Sequence, residues 1–263
     1  MTESEMNTRS HHDDANVVPV AWCNDDAVTS SVMEAVSFVT PVLENFFIRT
    51  VLEGMREHGD QALEARCLSF VREESNHTQA HRKFNIPLQG YLGRQPPGLA
   101  MVEVLLDAAK RHLSLPKRLA LAAALEHFAA VISKLYISHE AKLTFKLTSA
   151  RELFAMHARE ELAHRSVVFD LWEAHGSRGF IDRVTTIMAT LVVGAAYVGI
   201  AVPWILHRKM ERRFVPTLLA LSGFTAKNMK DTLTHTPVRE LLSFVRRDFH
   251  PESLVDDGQA SKV

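Results

Sequence analysis

Two short stretches of the chain place a carboxylate three residues before an imidazole: Glu74-Ser-Asn-His77 and Glu161-Leu-Ala-His164. On a helix this spacing puts both groups on one face, where they can share a metal ion or flank a pair of ions. One such pair is weak evidence, because Glu and His are common on solvated helix faces; a second copy on a separate long helical stretch is stronger. Two further carboxylates stand alone in apolar runs, Glu44 in PVLENFFI and Glu126 in LALAAALEHFAA. A carboxylate at such a position is costly to bury without a cation. Glu44 precedes Glu74 by 30 residues and Glu126 precedes Glu161 by 35, so the chain repeats one unit: a helix with a Glu, then a helix with Glu-x-x-His. Four converging carboxylates repel one another. Two divalent ions neutralise all four, and two neutral imidazoles complete the coordination. Carboxylate and imidazole without thiolate suit two iron ions, or manganese with iron, better than zinc. The competing reading is a helical bundle with scattered surface acids.

Other groups lie near the same faces. His81 is four residues beyond His77 and His157 four before Glu161. Each is a further ligand, a group that supports one, or a surface histidine. Glu73 and Glu160 stand four residues before His77 and His164, so either can replace its neighbouring carboxylate. Asp170 can orient a ligating imidazole. His127, beside Glu126, points elsewhere, toward solvent or packing.

The elements that must position these groups are helices. Apolar residues recur at helical spacing almost throughout, and no stretch demands a strand. The pattern predicts helices over about 31–58, stopped by Gly59; 60–84, stopped by Asn85-Ile86-Pro87; 99–112; 114–144 with Pro116 in its first turn; and 149–176. Ser149-Ala-Arg-Glu152 has the form of a capping box opening that last helix. An apolar helix over 179–213 and a weaker helical tail to about 249 follow. Two hairpins joined by a long crossover make an antiparallel four-helix bundle, an all-α fold extended by C-terminal apolar helices. The expected division is a mobile lead-in over 1–28, the metal-binding bundle over 29–176, a helical extension over 177–250 and a disordered tail over 251–263.

Composition bounds the function. The chain has 263 residues, of which 46% are hydrophobic and 23% charged, as in folded globular proteins. Only two cysteines occur, Cys23 and Cys67, which excludes a disulfide scaffold and any cysteine-held zinc or iron–sulfur centre. A net charge of −1 provides no basic field for nucleic acid. The N-terminus is polar, without the apolar core of a secretory signal, so a cytoplasmic location is expected. His11-His12-Asp13-Asp14 reads as part of a polar tail. Residues 187–206, IMATLVVGAAYVGIAVPWIL, carry no charge and meet the length rule for a membrane helix. Contact with the inner membrane face, a buried or homodimer-interface helix, and a true span all remain open for this segment.

With these motifs in place, the chain resembles the ferritin-like di-iron carboxylate superfamily, which implies that its four-helix bundle is of the ferritin-like kind. More closely, it resembles a bacterial family of predicted metal-dependent hydrolases. The resemblance rests on PVLENFFIRTVLEG (41–54), FVREESNHTQAHRKFN (70–85), ALEHFAA (124–130) and FAMHAREELAHRSVVFDLWEAHG (154–176). It implies a metal site and, by the family's name, hydrolysis. Met156 departs from the tryptophan expected before His157, which bears on pocket packing more than on ligation. From the residues themselves the leading expectation is an O2-activating oxidoreductase that acts on a small apolar substrate and draws on an external electron donor, with Leu43, Phe46, Phe47, Leu125 and Phe128 excluding water from the site. The alternatives are a hydrolase with metal-activated water, and a non-catalytic metal-binding protein at a membrane. Tyr91, Tyr136 and Tyr197 are too far along the chain from any ligand for a reductase-type tyrosyl radical.

Overall fold

The computed structural model describes residues 18–176, 179–213, 215–223 and 238–254, with every side chain there except that of His58. Residues 1–17, including the His11-His12-Asp13-Asp14 stretch, and the tail from 255 onward lie outside the described residues, as do 224–237. The described chain is helical, with one isolated bridge between Cys23 and Phe145. In chain order the helices are α1 (Ala27–His58), α2 (Gln61–Leu92), α3 (Leu99–His112), α4 (Leu115–His139), α5 (Thr148–His164), α6 (Val167–Ala174) and α7 (Phe180–Lys209). Residues 215–223 and Val238–Ser243 are also helical.

Capping chemistry sets the first hairpin. Asp26 accepts from the Thr29 amide at 2.6 Å and opens α1. Gly59, at φ 77°, closes it in a left-handed conformation that a side chain would strain. Asp60 then accepts from Ala62 and Leu63 and opens α2. Only Gly59 and Asp60 separate two helices of 32 residues, so α1 and α2 pack along their length antiparallel. A crossover through α3 leads to the second hairpin of α4 with α5 and α6, while α7 lies across α1 and α4. The main core joins Phe46, Phe47, Phe70, Leu119, Val168, Leu171 and Trp172 from both hairpins.

Five expectations are corrected. Helix α2 does not end before Pro87; it runs on to Leu92. Proline removes one ladder bond, whereas continuing the helix buries Leu88 and Leu92 against α1, α3 and α7. Ser149 does not cap α5: the cap is Leu147, with no side-chain hydrogen bond. The predicted helix over 149–176 is broken at Arg165 and Ser166, where the Ser166 hydroxyl accepts from Arg66 and donates to Glu252. The lead-in is packed from residue 18 onward. Trp22 is fully buried against Phe84, Phe145 and Phe154, and Asn24 and Lys146 donate across to Thr144 and Trp22 carbonyls. At the other end, Pro251–Ser253 form a 3-10 turn and Leu254 is buried.

A buried ion pair ties the packed lead-in to the end of α7. Lys209 Nζ lies 2.6 Å from Glu34 Oε1, which also accepts from Trp22 Nε1 at 2.7 Å, and donates to the Val20 carbonyl at 2.9 Å. Removing one partner of such a pair strands the other in a low-dielectric interior. Lys209→Met is therefore expected to cost about 3–5 kcal/mol, read as a lowered melting temperature. Glu34→Leu in the same chain should recover most of the loss. A Lys209→Met protein as stable as the parent would show that the pair contributes nothing.

Candidate metal centre

The four helices of the two hairpins converge on one buried cluster. Glu44 comes from α1, Glu74 and His77 from α2, Glu126 from α4, and His157, Glu161 and His164 from α5. The six residues expected from the paired motifs are all buried, none more than 5% exposed. Two overlapping groups form. Glu74, His77, Glu161 and His164 offer donor atoms within 4.8 Å of one another, as do Glu44, His77 and His157. His77 is common to both. Its Nδ1 lies 3.7 Å from Glu44 Oε1 and 3.6 Å from Glu74 Oε1. His164 Nε2 is 3.2 Å from Glu74 Oε1, and its Nδ1 is 3.8 Å from Glu126 Oε2. His157 Nε2 is 3.2 Å from Glu161 Oε1 and its Nδ1 3.8 Å from Glu44 Oε1, so the structure brings His157 into the cluster.

Hydrogen bonds around the cluster aim the imidazoles. Glu160 Oε2 accepts from His77 Nε2 at 2.7 Å, which leaves the Nδ1 lone pair facing the carboxylates. Glu160 thus orients His77 rather than replacing Glu161, and at 40% side-chain exposure it connects the cluster to solvent. Ser37 Oγ donates to Asn85 Oδ1 at 2.7 Å and so accepts from His81 Nδ1 at 2.9 Å, leaving His81 Nε2 without a proton. The His81 ring stands edge-on to His157, 5.0 Å between centroids. Thr78 donates to Glu44 Oε2 at 2.6 Å. Ser37 and Thr78 carry no motif of their own. Their only signal is register, since Ser37 is two turns before Glu44 and Thr78 one turn after Glu74.

Two sequence expectations place residues differently, Asp170 and Glu73, and a third is resolved, His127. Asp170 orients no cluster imidazole; it pairs with Arg66 at 2.6 Å and with His250 Nε2 at 2.8 Å. Glu73 faces outward and accepts from Ser69. His127 points away from the cluster as expected, and of the two surroundings left open, solvent and packing, it takes packing: it is fully buried, bonded through Nε2 to the Glu240 carbonyl at 3.0 Å and stacked on Phe244. The aromatic edges that meet cluster imidazoles are Phe70 on His164 and Phe154 on His81, neither of them among the lining residues expected from sequence. Phe46 instead helps line a cleft of about 620 Å³ between α1, α2 and α3. That cleft touches the face of α1 opposite Glu44 and includes no cluster residue.

The cluster is electrostatically frustrated by itself. Burial, reinforced by Glu73 and Glu160, pushes the Glu74 carboxyl up to about 8. Burial and neighbouring carboxylates push Glu44, Glu126 and Glu161 well above the ordinary carboxylate range. Burial, then His77, pushes His81 and His164 down to about 3, and burial with the other histidines holds His157 well below its usual value. Eleven buried oxygen and nitrogen atoms of Glu44, Glu74, His77, His81, Glu126, His157, Glu161 and His164 have no hydrogen-bond partner. Unpartnered buried polar atoms are costly and rare in native folds. A pair of divalent cations would resolve all of these at once, so the residues fit metal ions.

A helical bundle with a buried carboxylate–imidazole cluster able to hold metal defines the class. The chain belongs to the family of predicted metal-dependent hydrolases, whose model matches residues 7–254. No curated protein and no solved structure matches it.

Proposed function

We propose that the cluster holds two divalent metal ions and that the chain is a dinuclear metal-dependent hydrolase. The observation that carries this reading is the pair of overlapping donor groups sharing His77, with their buried unpartnered atoms. Glu74, Glu161, His77 and His164 would hold one ion, Glu44 and His157 would complete the second, and Glu126 would close the set beside His164. Bound metals of this kind lower the pKa of water and polarise a carbonyl or phosphoryl oxygen. The chain supplies the rest. Glu160 keeps the His77 proton on Nε2 and is the partly exposed member through which protons pass to solvent. His157, at 15% side-chain exposure, marks the same side as the entrance for a small substrate.

A second reading, oxygen activation with an external electron donor, is favoured by one observation: the aromatic edges of Phe70 and Phe154 shield His164 and His81 from water. Carboxylate and imidazole without thiolate suit iron or manganese in either case. The two readings part in one experiment. Protein loaded with zinc or manganese is assayed without oxygen against p-nitrophenyl esters of acetate and phosphate. Hydrolysis under those conditions, lost in Glu74→Ala, is expected. Oxygen consumption by the reduced iron form, with no anaerobic hydrolysis by any metal form, would replace hydrolysis with oxidation.

A further inference from the structure

Residues 184–206 of α7 contain no charged side chain, yet much of this helix lies on the surface. Ile187, Tyr197, Ala201, Val202, Ile205 and Leu206 are buried against the bundle, and Tyr197 donates to the Ala35 carbonyl at 2.8 Å. Among the described residues the opposite face is uncovered. Ile181, Thr185, Met188, Val192, Ala195 and Gly199 are exposed and fall three or four residues apart, Ile181 at 74% and Val192 at 62%. With Ile200 beside them they form one uncharged stripe about 28 Å long. Past the left-handed turn at Glu211 and Arg212, residues 215–223 expose Val215, Leu218 and Leu219 as well.

The basic end of the stripe identifies what covers it. The Trp204 ring carries two guanidinium contacts, Arg94 at 5.4 Å and Arg208 at 5.6 Å from its centroid. Arg212 and Arg213 follow, with Glu211 the one acid among them. At the other end of α7, Arg246 and Asp248 neutralise each other at 2.7 Å, and Asp182 and Arg247 add one charge of each sign. A second copy laid along the stripe in either direction therefore brings no surplus acid to the arginines. Anionic lipid headgroups do. A tryptophan beside arginines at the edge of an apolar face is the arrangement of a helix lying in the membrane interface. The buried face of α7 belongs to the bundle, so the helix cannot cross a bilayer without leaving it.

We propose that this chain docks on an anionic membrane surface through the exposed face of α7, lying in the interface rather than spanning it. The three tryptophans provide the readout. Trp22 and Trp172 are fully buried, whereas Trp204 is partly exposed at the edge of the stripe. The full chain is mixed with vesicles of phosphatidylcholine containing phosphatidylglycerol, with brominated acyl chains as quencher, and with vesicles of phosphatidylcholine alone. Sedimentation with the anionic vesicles and quenching of tryptophan emission are expected. Val192→Glu, at an exposed position, should lower partitioning by about tenfold or more while leaving circular dichroism and melting unchanged. Arg212→Gln with Arg213→Gln should lower binding to anionic vesicles by about tenfold and remove most of its salt dependence. Three results overturn the proposal: no sedimentation with either vesicle, binding by Val192→Glu equal to the parent, or a stable dimer in solution that Val192→Glu dissociates. The last would make a second copy the occupant. Metal content and hydrolysis do not enter the readout, so failure here leaves the metal centre untouched.

Discussion

Glu126→Leu raises the melting temperature of the metal-free protein and removes its tight metal binding. Glu126 is 1% exposed, and neither of its carboxylate oxygens has a hydrogen-bond partner. Burial and Glu161 push its carboxyl toward the neutral form. Around it α4 is apolar, with Ala122, Ala123 and Ala130 all buried. A leucine occupies similar volume and needs no partner. Replacing a buried polar group that lacks a partner by a well-packed apolar side chain removes a desolvation penalty of about 1–3 kcal/mol. In a chain of this size that is a rise of several degrees. The measurement is thermal unfolding of parent and variant, each with chelator and with excess manganese. The parent should gain from the metal, by about 2.7 kcal/mol when free metal reaches a hundred times its dissociation constant, and the variant should gain little. A metal-free variant less stable than the parent would mean that Glu126 is satisfied within the fold and is not held there for a cation.

The second large effect is a reversal of pH dependence when metal binds. In the metal-free protein, a carboxyl whose folded pKa is raised contributes stability below its unfolded value. That contribution is lost as pH rises toward the folded value. Glu74 moves from 4.5 to about 8, and Glu44, Glu126 and Glu161 move the same way. His81 and His164, lowered from 6.5 to about 3, act in the opposite direction: their contribution is present above 6.5 and lost as pH falls below it. Between about pH 7.5 and 8 these imidazoles are largely deprotonated in both states and the carboxyls dominate, so the metal-free protein should lose about 1.4 kcal/mol per pH unit for each one still protonated in the fold. Metal needs deprotonated ligands, so the loaded protein should hold or gain stability over the same interval. Melting temperatures at half-unit steps test this. Parallel curves with and without metal would sink the idea that these carboxyls and the metal share one site.

The paired Glu-x-x-His motifs and the two lone glutamates were legible because helical spacing converts sequence interval directly into a shared face. Helix α3 was legible to the residue for the same reason. The all-α fold follows from continuous helical patterning with few breaks. What the sequence concealed depends on tertiary packing. Pro87 looks like a stop, and only the burial of Leu88 and Leu92 carries α2 past it. The Ser149–Glu152 pattern has the spacing of a cap, but the chain enters α5 at Leu147. Asp170 has the right type to support a ligand, yet Arg66 and His250 claim it. Glu160 and Glu161 are indistinguishable as adjacent acids until the helix is docked, when one enters the cluster and the other faces its rim. The Glu34–Lys209 pair joins residues 175 positions apart, a separation at which no local pattern exists.

The depth of the cluster bears on how fast a metal can exchange. Its residues span Glu44 to His164 on four helices, and the members that reach furthest toward solvent are His157 and Glu160, at 15% and 40% side-chain exposure. Ions held there act as a cross-link between distant parts of the chain, so their removal loosens both hairpins at once. A competing metal reaches them past that narrow rim, so exchange in the folded protein should be slow compared with exchange at an open surface site.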